Sequence, residues 1–324
     1  MDLDALTPAQ RRVVDELMDW PNRSVRPRFE PDLPLQLRDA LEDALGPLAD
    51  QLNPGELYVS KKKLGQVLAC EAHHVAAEEA GFGGWSPRAA RGTVAHKAIE
   101  LSMHMPAAAT PLALVDAAVE RLVADADDDE WGPGRYLAAA DAVERAELRA
   151  EVNDIVVKFE ECFPRLDAEW RPRTESVARV DLCDGRIVLS GKVDLALGRA
   201  TGTEARVLVV DLKTGAPWPS HLDDLRFYAL VHTMRTGVPP FRVASYYLDS
   251  CGFRAEHVTV ELLLTTAVGR VVEGVRRMVE LHLKQREPTL TPGPACGWCP
   301  RREACDGPAL WAAERAARGL DPFD

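Results

Sequence analysis

The sequence predicts an α/β fold, in which a central mixed β-sheet of about five strands is flanked by helices and follows a helical N-terminal region. Two observations support this prediction. Apolar residues recur every three to four positions up to about residue 165, whereas from about Val177 they alternate with polar residues or form short continuous runs. Beyond that point the segments follow one another in the order three strands, helix, two strands, helix.

The N-terminal half is predicted to be helical from its start. Thr7 followed by Pro8 is typical of a helix start, and a linker rich in proline and arginine separates this helix from a second one at about 35–52. Ser60 is the expected N-cap of a helix that carries Cys70. Further helices are predicted at 92–104, 112–126 and 138–163.

The C-terminal half is predicted to supply the sheet. Two alternating segments, 176–182 and 186–197, flank a turn and indicate a β-hairpin. The near-continuous apolar run at 205–213 is typical of a central strand that is covered on both faces. The remaining predicted elements are a helix at 222–235, strands at 241–249 and 253–262, and a helix at 265–285 that begins at threonine caps.

The composition limits the classes of protein to which the chain can belong. Its 324 residues carry a net charge of −12, which counts against generic nucleic-acid binding because that normally uses a positive surface. Basic runs at 61–63 and among Arg171, Arg173 and Arg179 still allow a local basic groove. No apolar run is long enough to cross a bilayer and no secretory leader is visible, so we expect a cytoplasmic protein without membrane contact.

A small set of charged residues marks the candidate site. Asp211 and Lys213 lie two residues apart near the end of the predicted central strand, so both side chains point to one face. Asp194 lies within an apolar strand, where an isolated carboxylate is costly unless it is paired or bound to metal. Two carboxylates on neighbouring strands would suit Mg²⁺ or Mn²⁺. From the spacing alone, an ordinary Asp–Lys ion pair is the slightly better interpretation, because an acid, any residue and a lysine form a common triplet.

Longer motifs around these residues resemble those of a known family. The segments SGKVDLAL (190–197) and VVDLKTG (209–215) resemble the core of the PD-(D/E)XK nuclease superfamily. The segment GTVAHKAIE (92–100) resembles the helical histidine motif of its RecB-like branch. The resemblance therefore implies a restriction-endonuclease-like core and metal-dependent cleavage of DNA. It extends over roughly 60–305 and leaves the N-terminal residues outside.

The resemblance also implies a role for each matching residue. His96, Asp194 and Asp211 would bind the metal, and Asp194, Asp211 and Lys213 would form the catalytic site. Without the resemblance, His96 is typical of a structural histidine on a helix face. Glu100, one turn further along the predicted helix, is a weaker candidate for a supporting or DNA-contacting residue.

One motif departs from the family pattern. The family usually has a glutamine four residues before a tyrosine in the helix after the central strand. Here Tyr228 is present, but Asp224 occupies the position of the glutamine. Tyr228 is therefore a weak candidate for a DNA-contacting or supporting residue.

Four cysteines form a second candidate site. Cys296, Cys299 and Cys305 lie close together in the sequence, and Cys70 is the residue best placed to be a fourth ligand. Four thiolates satisfy an iron–sulfur cluster or a structural zinc ion equally well, so the spacing does not choose between them. The segment around Cys70 resembles the first half of the iron–sulfur clamp of RecB-like and CRISPR-adaptation exonucleases. This resemblance favours a [4Fe–4S] cluster over zinc.

Three functions are consistent with these features. The first is a Mg²⁺- or Mn²⁺-dependent deoxyribonuclease, an exonuclease on single-stranded DNA ends, with a helicase or a CRISPR-adaptation protein as a separate partner. The second is a weak or inactive nuclease fold that binds a DNA end or a partner in repair or CRISPR adaptation. The third is an electron-transfer protein, for which we find no flavin or nicotinamide motif.

The expected organisation has three parts. Residues 1–55 form a helical extension and linker, and residues 56–290 form the nuclease core with a helical insertion at about 97–170. Residues 291–324 carry the C-terminal cysteines.

Overall fold

The computed structural model describes residues 3–52, 54–105, 109–127, 131–166 and 168–320, and this part of the chain is built around a six-stranded mixed β-sheet with helices on both faces. Its strands are β1 (Leu57–Val59), β2 (Arg173–Leu182), β3 (Ile187–Leu197), β4 (Leu208–Lys213), β5 (Arg242–Tyr247) and β6 (Gly252–His257). Its helices are α1 (Pro8–Arg12), α2 (Leu33–Gln51), α3 (Lys61–Ala69), α4 (Glu71–Ala80), α5 (Pro87–Ser102), α6 (Pro111–Ala124), α7 (Gly134–Ala139), α8 (Ala142–Cys162), α9 (Ser220–Thr236), α10 (Val268–His282) and α11 (Gly307–Ala317), together with short 3₁₀ and π-helical turns.

The long strand β3 organises the sheet. One of its edges pairs antiparallel with β2 along nearly the whole strand. Its other edge pairs in parallel with β1 near the N-terminal end and antiparallel with β4 near the C-terminal end. β5 continues the sheet in parallel with β4, and β6 pairs antiparallel with β5. The strands β2, β3 and β4 therefore lie side by side.

Two apolar layers cover the faces of the sheet. Helices α2, α9 and α10 contribute to one layer, and α1 with its continuation, α5, α6 and α8 contribute to the other. Successive residues of β4 point into opposite layers, as Val209 and Val210 do. The double coverage predicted for this strand is confirmed, and it carries Asp211, at the end of the apolar run, into a buried position.

Most predicted elements are found where the pattern placed them. Thr7 caps α1 and Ser60 caps α3, which ends next to Cys70. The predicted order of strands and helices is confirmed, with the short strand β1 in addition. None of the helices in the described ranges is both long and apolar enough to cross a bilayer.

The bounds of some predicted elements were wrong. The strand predicted over 253–262 ends at His257, and the chain is helical from Val260. α5 ends at Ser102, so His104 lies beyond the helix that was predicted over 92–104. The last long helix does not begin at its adjacent threonines, 265 and 266, which lie inside a π-helical stretch that precedes α10. Thr259 caps that stretch instead, because its hydroxyl oxygen accepts a hydrogen bond from the Leu262 N–H at 3.1 Å.

Candidate functional site

Three carboxylates form a row across β2, β3 and β4. The β2–β3 register places Glu175 opposite Asp194, and the β3–β4 register, continued by one residue, places Asp194 opposite Asp211. Like charges directly opposite one another on neighbouring strands are destabilising, so the row needs compensating positive charge. Glu175 also has a φ angle of +49°, which is uncommon for a residue other than glycine. This combination of strain and repulsion is typical of a functional site.

His96 approaches the middle of this row from α5. Its Nδ1 lies 3.6 Å from Asp194 Oδ1, while Asp194 Oδ2 accepts a hydrogen bond from the Leu212 N–H at 2.8 Å. One donor atom each from His96, Glu175 and Asp194 lie within 4.8 Å of one another. Burial lowers the pKa of His96, but the hydrogen bond and charge of Asp194 outweigh burial and raise it above its usual value.

Asp211 is held between two lysines. Its side chain is only 1% exposed, and the Nζ atoms of Lys61 and Lys213 lie 2.8 Å from Oδ1 and Oδ2 respectively. Burial alone would raise the pKa of Asp211, but the two ammonium groups outweigh it and lower that pKa. The Lys213 contact lacks hydrogen-bond geometry, so Oδ2 is a buried oxygen without a hydrogen bond among the described residues.

Two residues of α9 contact these lysines, Asp224 at Lys213 and Tyr228 at Lys61. Asp224 Oδ2 lies 3.1 Å from Lys213 Nζ, so the acid in the usual glutamine position pairs with the lysine of the motif. The Tyr228 hydroxyl donates a hydrogen bond to the Lys192 carbonyl at 2.6 Å, and Lys61 Nζ lies 4.6 Å from the centre of its ring. Burial raises the pKa of Tyr228, so this phenol stays protonated.

These groups open into a cleft of about 500 Å³ between α5 and the end of β4. The charged and histidine side chains that line it are Lys61, Arg88, His96, Asp194, Asp211 and Lys213. Two glycines let the helix and the strand end approach each other. A Cβ at Gly92 would lie 3.2 Å from Thr214 Oγ1, and Gly215 has a φ angle of +98°. The cleft thus places positive and negative groups where a phosphate and a cation could meet.

The donor set fits a divalent cation. Carboxylate oxygens are the ligands that Mg²⁺ and Mn²⁺ prefer, and imidazole is an additional ligand for transition metals. Asp211 Oδ2 lies 2.8 Å from Lys213 Nζ without a hydrogen bond of good geometry, so this oxygen keeps a lone pair that a cation could use. The positive charge of a cation would also relieve the repulsion within the carboxylate row.

The structure brings most of the predicted site residues together. His96, Asp194, Asp211 and Lys213 all line the cleft. Glu100 instead forms an ion pair with Lys97 at 2.6 Å and does not line the cleft. Tyr228 is 2% exposed and supports the site from within the apolar layer.

Sequence reasoning missed three residues of the site, which are Glu175, Lys61 and Arg88. Glu175 lies one residue before Ser176, where the predicted alternating segment begins. Lys61 was assigned to a basic run, although the cap at Ser60 signals that it is the first residue of a helix. In the structure Lys61 reaches Asp211, and Glu175 joins the possible ligands of a cation together with an ion pair to Lys192.

The four cysteines meet at one place. Cys70 lies at the junction of α3 and α4, and it lines a small cavity of about 20 Å³ together with Cys296, Cys299 and Cys305. Cys70 Sγ accepts a hydrogen bond from the Thr291 N–H at 3.5 Å. A Cβ at Gly307 would lie 3.3 Å from the sulfurs of both Cys296 and Cys305, so this glycine lets the chain pass close to the thiols.

The donor set at the cysteines fits a thiolate-bound metal centre. A tetrahedral zinc ion with bonds of about 2.3 Å holds its sulfurs about 3.8 Å apart. Within the described ranges, His96, Glu175 and Asp194 form the only group with three such donor atoms within 4.8 Å of one another, so no three cysteine sulfurs are that close. The cavity of about 20 Å³ favours a single ion unless the side chains move apart.

Comparison with known proteins identifies the family. The sequence profile of the PD-(D/E)XK nuclease superfamily matches residues 58–306, a range that contains every residue lining the cleft. No curated protein matches this chain. Thirteen chains of solved structures match, and one of them is the crystal structure of SSO0001, with 14% identity, a TM-score of 0.32, and coverage of 66% of this chain and 94% of that one. A structural likeness this distant supports no argument, whereas the profile covers more than half of the sequence. The chain therefore belongs to the PD-(D/E)XK nuclease superfamily.

Proposed function

We propose that the protein is a metal-dependent deoxyribonuclease that acts as an exonuclease on single-stranded DNA ends. The observation that carries this proposal is the row of carboxylates that ends at Asp211, with His96 on one side and Lys213 on the other. An ordinary ion pair at a strand end would need neither the histidine nor the second and third carboxylates. The resemblance to the RecB-like branch supports the exonuclease assignment.

The residues of the cleft divide into ligands and charge-stabilising groups. We propose His96, Asp194 and Asp211 as the ligands of Mg²⁺ or Mn²⁺; the donor atoms of His96, Asp194 and Glu175 lie within 4.8 Å of one another, whereas Asp211 is not part of that group. The bound cation would stabilise negative charge on the scissile phosphate and lower the pKa of a bound water. Lys213 lies beside Asp211 and is placed to orient the attacking water or to stabilise charge that develops on the phosphate.

Lys61 and Arg88 add positive charge at the same cleft. Burial lowers the pKa of Lys61, but the charge of Asp211 outweighs burial and raises it, so the side chain stays cationic. Lys213 behaves in the same way for the same reason. Cationic groups within a partly enclosed cleft attract phosphate even on a chain whose net charge is −12.

The four cysteines are proposed to bind a [4Fe–4S] cluster, with structural zinc as the alternative. The resemblance supports the cluster, and the small cavity supports zinc. In either case the centre would tie the C-terminal segment to α3 and α4, and thereby close a loop of more than two hundred residues. Metal analysis separates the two, because a cluster gives four irons and four sulfides per chain and a visible absorption band.

A second function is a scaffold that binds a DNA end or a protein partner without cleaving DNA. The observation that favours it is the engagement of both Asp211 oxygens by lysines, with Asp224 in place of the usual glutamine. A helicase or a CRISPR-adaptation protein is the kind of partner that the resemblance implies in either case.

A cleavage assay tests the proposal. End-labelled single- and double-stranded DNA is incubated with purified protein and Mg²⁺ or Mn²⁺, next to Lys213→Ala. We expect loss of nucleotides from single-stranded ends by the wild type and none by the variant. Binding without cleavage under both metals would favour the scaffold. Cleavage that survives Lys213→Ala would contradict the assignment of this site.

A further inference from the structure

A second concave site lies at the other end of β3 and β4. It is a pocket of about 260 Å³, and the functional site described above does not include any of its lining residues. Five arginines line it, with Glu169 as the only carboxylate among its described lining residues. These arginines are Arg23, Arg26, Arg171, Arg199 and Arg206. On a chain with a net charge of −12, such a concentration of positive charge requires an explanation.

Ion pairs within the protein compensate only part of this charge. Arg26 pairs with Asp19 at 2.8 Å, and Arg206 pairs with Glu204 at 2.6 Å. In the described part of the chain, the side chains of Arg171 and Arg199 have neither an ion pair nor a hydrogen bond. Both residues are exposed, so their guanidinium groups are available to a ligand.

The electrostatics agree with an excess of positive charge. Burial lowers the pKa of Arg26, and the nearby charges of Arg242 and Arg206 lower it further against the opposing charge of Asp19. Arginines that repel one another across a pocket are stabilised by a bound anion, and guanidinium groups form paired hydrogen bonds with phosphate. The favoured ligand is therefore a phosphate group.

Two tryptophans add an aromatic wall to the same pocket. The rings of Trp20 and Trp170 lie 5.0 Å apart at an angle of 43°, and the Arg23 guanidinium lies 4.4 Å over Trp20. The Trp170 indole N–H is buried and has no hydrogen-bond partner among the described residues. Aromatic rings beside arginines are the usual means by which proteins bind nucleotides of single strands without regard to sequence.

The position of the pocket relates it to the carboxylate row. Leu197 lines the pocket three residues after Asp194 on β3, and Leu208 lines it three residues before Asp211 on β4. Three residues of a strand span about 10 Å along the strand axis, which sets the scale of the separation between the two sites. Arg171 likewise lies four residues before Glu175.

We propose that this pocket, lined by Trp20, Trp170, Arg171 and Arg199, binds a nucleotide of the single-stranded DNA whose end lies in the cleft. The arginines hold its backbone phosphates and the tryptophans stack against its base. This inference rests on the proposed function and extends it, because it assigns the substrate a second contact, formed mostly by residues inside the matched range 58–306. Trp20 and Arg23 precede that range.

Binding measured without metal tests the inference separately from catalysis. Fluorescence anisotropy with a labelled oligothymidylate, in buffer without added Mg²⁺ or Mn²⁺, is recorded over a series of salt concentrations for wild type and for Arg171→Ala/Arg199→Ala. The double variant is expected to reduce the slope of log K against log salt by about 1.4, since each phosphate contact to a single strand contributes about 0.7. The matched control is Arg121→Ala/Arg145→Ala, which removes the same charge from α6 and α8.

The outcomes are distinct. A reduced slope for the first double variant and an unchanged slope for the control supports the inference, even if no cleavage is ever detected. Equal slopes for wild type and first variant, or an equal loss in the control, overturns it, even if the protein cleaves DNA.

Two further measurements address the base and the identity of the ligand. An oligonucleotide with abasic sites is expected to bind roughly tenfold more weakly, because stacking on the tryptophans is lost. Equal binding of the abasic strand would overturn the stacking contact. Free thymidine 5′-monophosphate is expected to compete poorly with the oligonucleotide. Displacement at equal concentrations would identify a free nucleotide as the ligand and overturn the assignment to the DNA strand.

Discussion

Glu71, the first residue of α4, is predicted to hold the segment 286–289 against that helix without the help of a metal. Its two carboxylate oxygens accept hydrogen bonds from Arg286 at 2.6 and 2.8 Å, and Oε2 also accepts one from the Thr289 N–H at 2.9 Å. The side chain is 4% exposed. The change that tests this contact is Glu71→Gln, which keeps the shape and removes the charge.

The expected loss follows from the pKa of Glu71. Hydrogen bonding to Arg286, against the opposing effect of burial, lowers that pKa from 4.5 to about 2. At about 1.4 kcal/mol for each pH unit, this corresponds to about 3 kcal/mol. The Arg286 side chain is 34% exposed and keeps its contact with Glu280, so water and that acid offset part of the loss. We therefore expect Glu71→Gln to lower the free energy of unfolding by about 2 kcal/mol at pH 7.

The sign of the pH dependence is fixed by the lowered pKa. A carboxyl group of this kind stabilises the fold above its unfolded pKa of 4.5 and loses that contribution as the pH falls through about 2. Urea unfolding followed by circular dichroism should therefore give a difference between wild type and variant that is constant above pH 4.5 and shrinks below it. The matched control is Glu42→Gln, whose exposed pair with Arg38 is expected to contribute less than about 0.5 kcal/mol. Identical unfolding curves for Glu71→Gln and wild type at pH 7 would refute the reasoning.

Three further predictions concern the two sites. Glu175→Gln is expected to weaken Mn²⁺ binding by about tenfold or more in calorimetry, because the acid lies among the donor atoms; an unchanged affinity would place it outside the ligand set. Lys61→Met is expected to destabilise the protein without Mg²⁺ by about 1–3 kcal/mol, because buried Asp211 loses one of its two lysine partners. Saturating Mg²⁺ is expected to restore much of the lost melting temperature. A melting temperature that does not recover with Mg²⁺ would count against a cation at Asp211. Cys299→Ala is expected to remove the metal centre and, with it, folding and activity, whereas Cys162→Ala, away from that cavity, retains all three; a folded, colourless and fully active Cys299→Ala would contradict the clamp.

The sheet and the centre of the site could be predicted because each has a local signal. The alternation of apolar and polar residues predicted β2 and β3, and the continuous apolar run predicted β4. The spacing of two residues between Asp211 and Lys213 predicted that both side chains lie on one face of that strand. His96 could be predicted as a site residue only from its motif, because a single histidine on a helix face does not by itself indicate a metal ligand. Its contact with Asp194 joins residues almost a hundred positions apart.

The remaining site residues depend on information that a single sequence does not carry. Glu175 enters the site through the register of a hairpin and through a backbone angle that interrupts the alternation of its strand. Lys61 reaches Asp211 from a helix that packs across the sheet 150 residues away in sequence. The arginine pocket combines an N-terminal turn with the ends of β3 and β4, which is a tertiary arrangement.

Mn²⁺ binding by the carboxylate row tests the central claim most directly. Calorimetric titration of wild type, Asp194→Asn and the exposed control Glu147→Gln compares the middle acid of the row with an acid on α8. We predict one saturable Mn²⁺ site at the row in the wild type and in Glu147→Gln, with affinity reduced at least about a hundredfold in Asp194→Asn. Equal Mn²⁺ affinity in all three proteins would contradict the account.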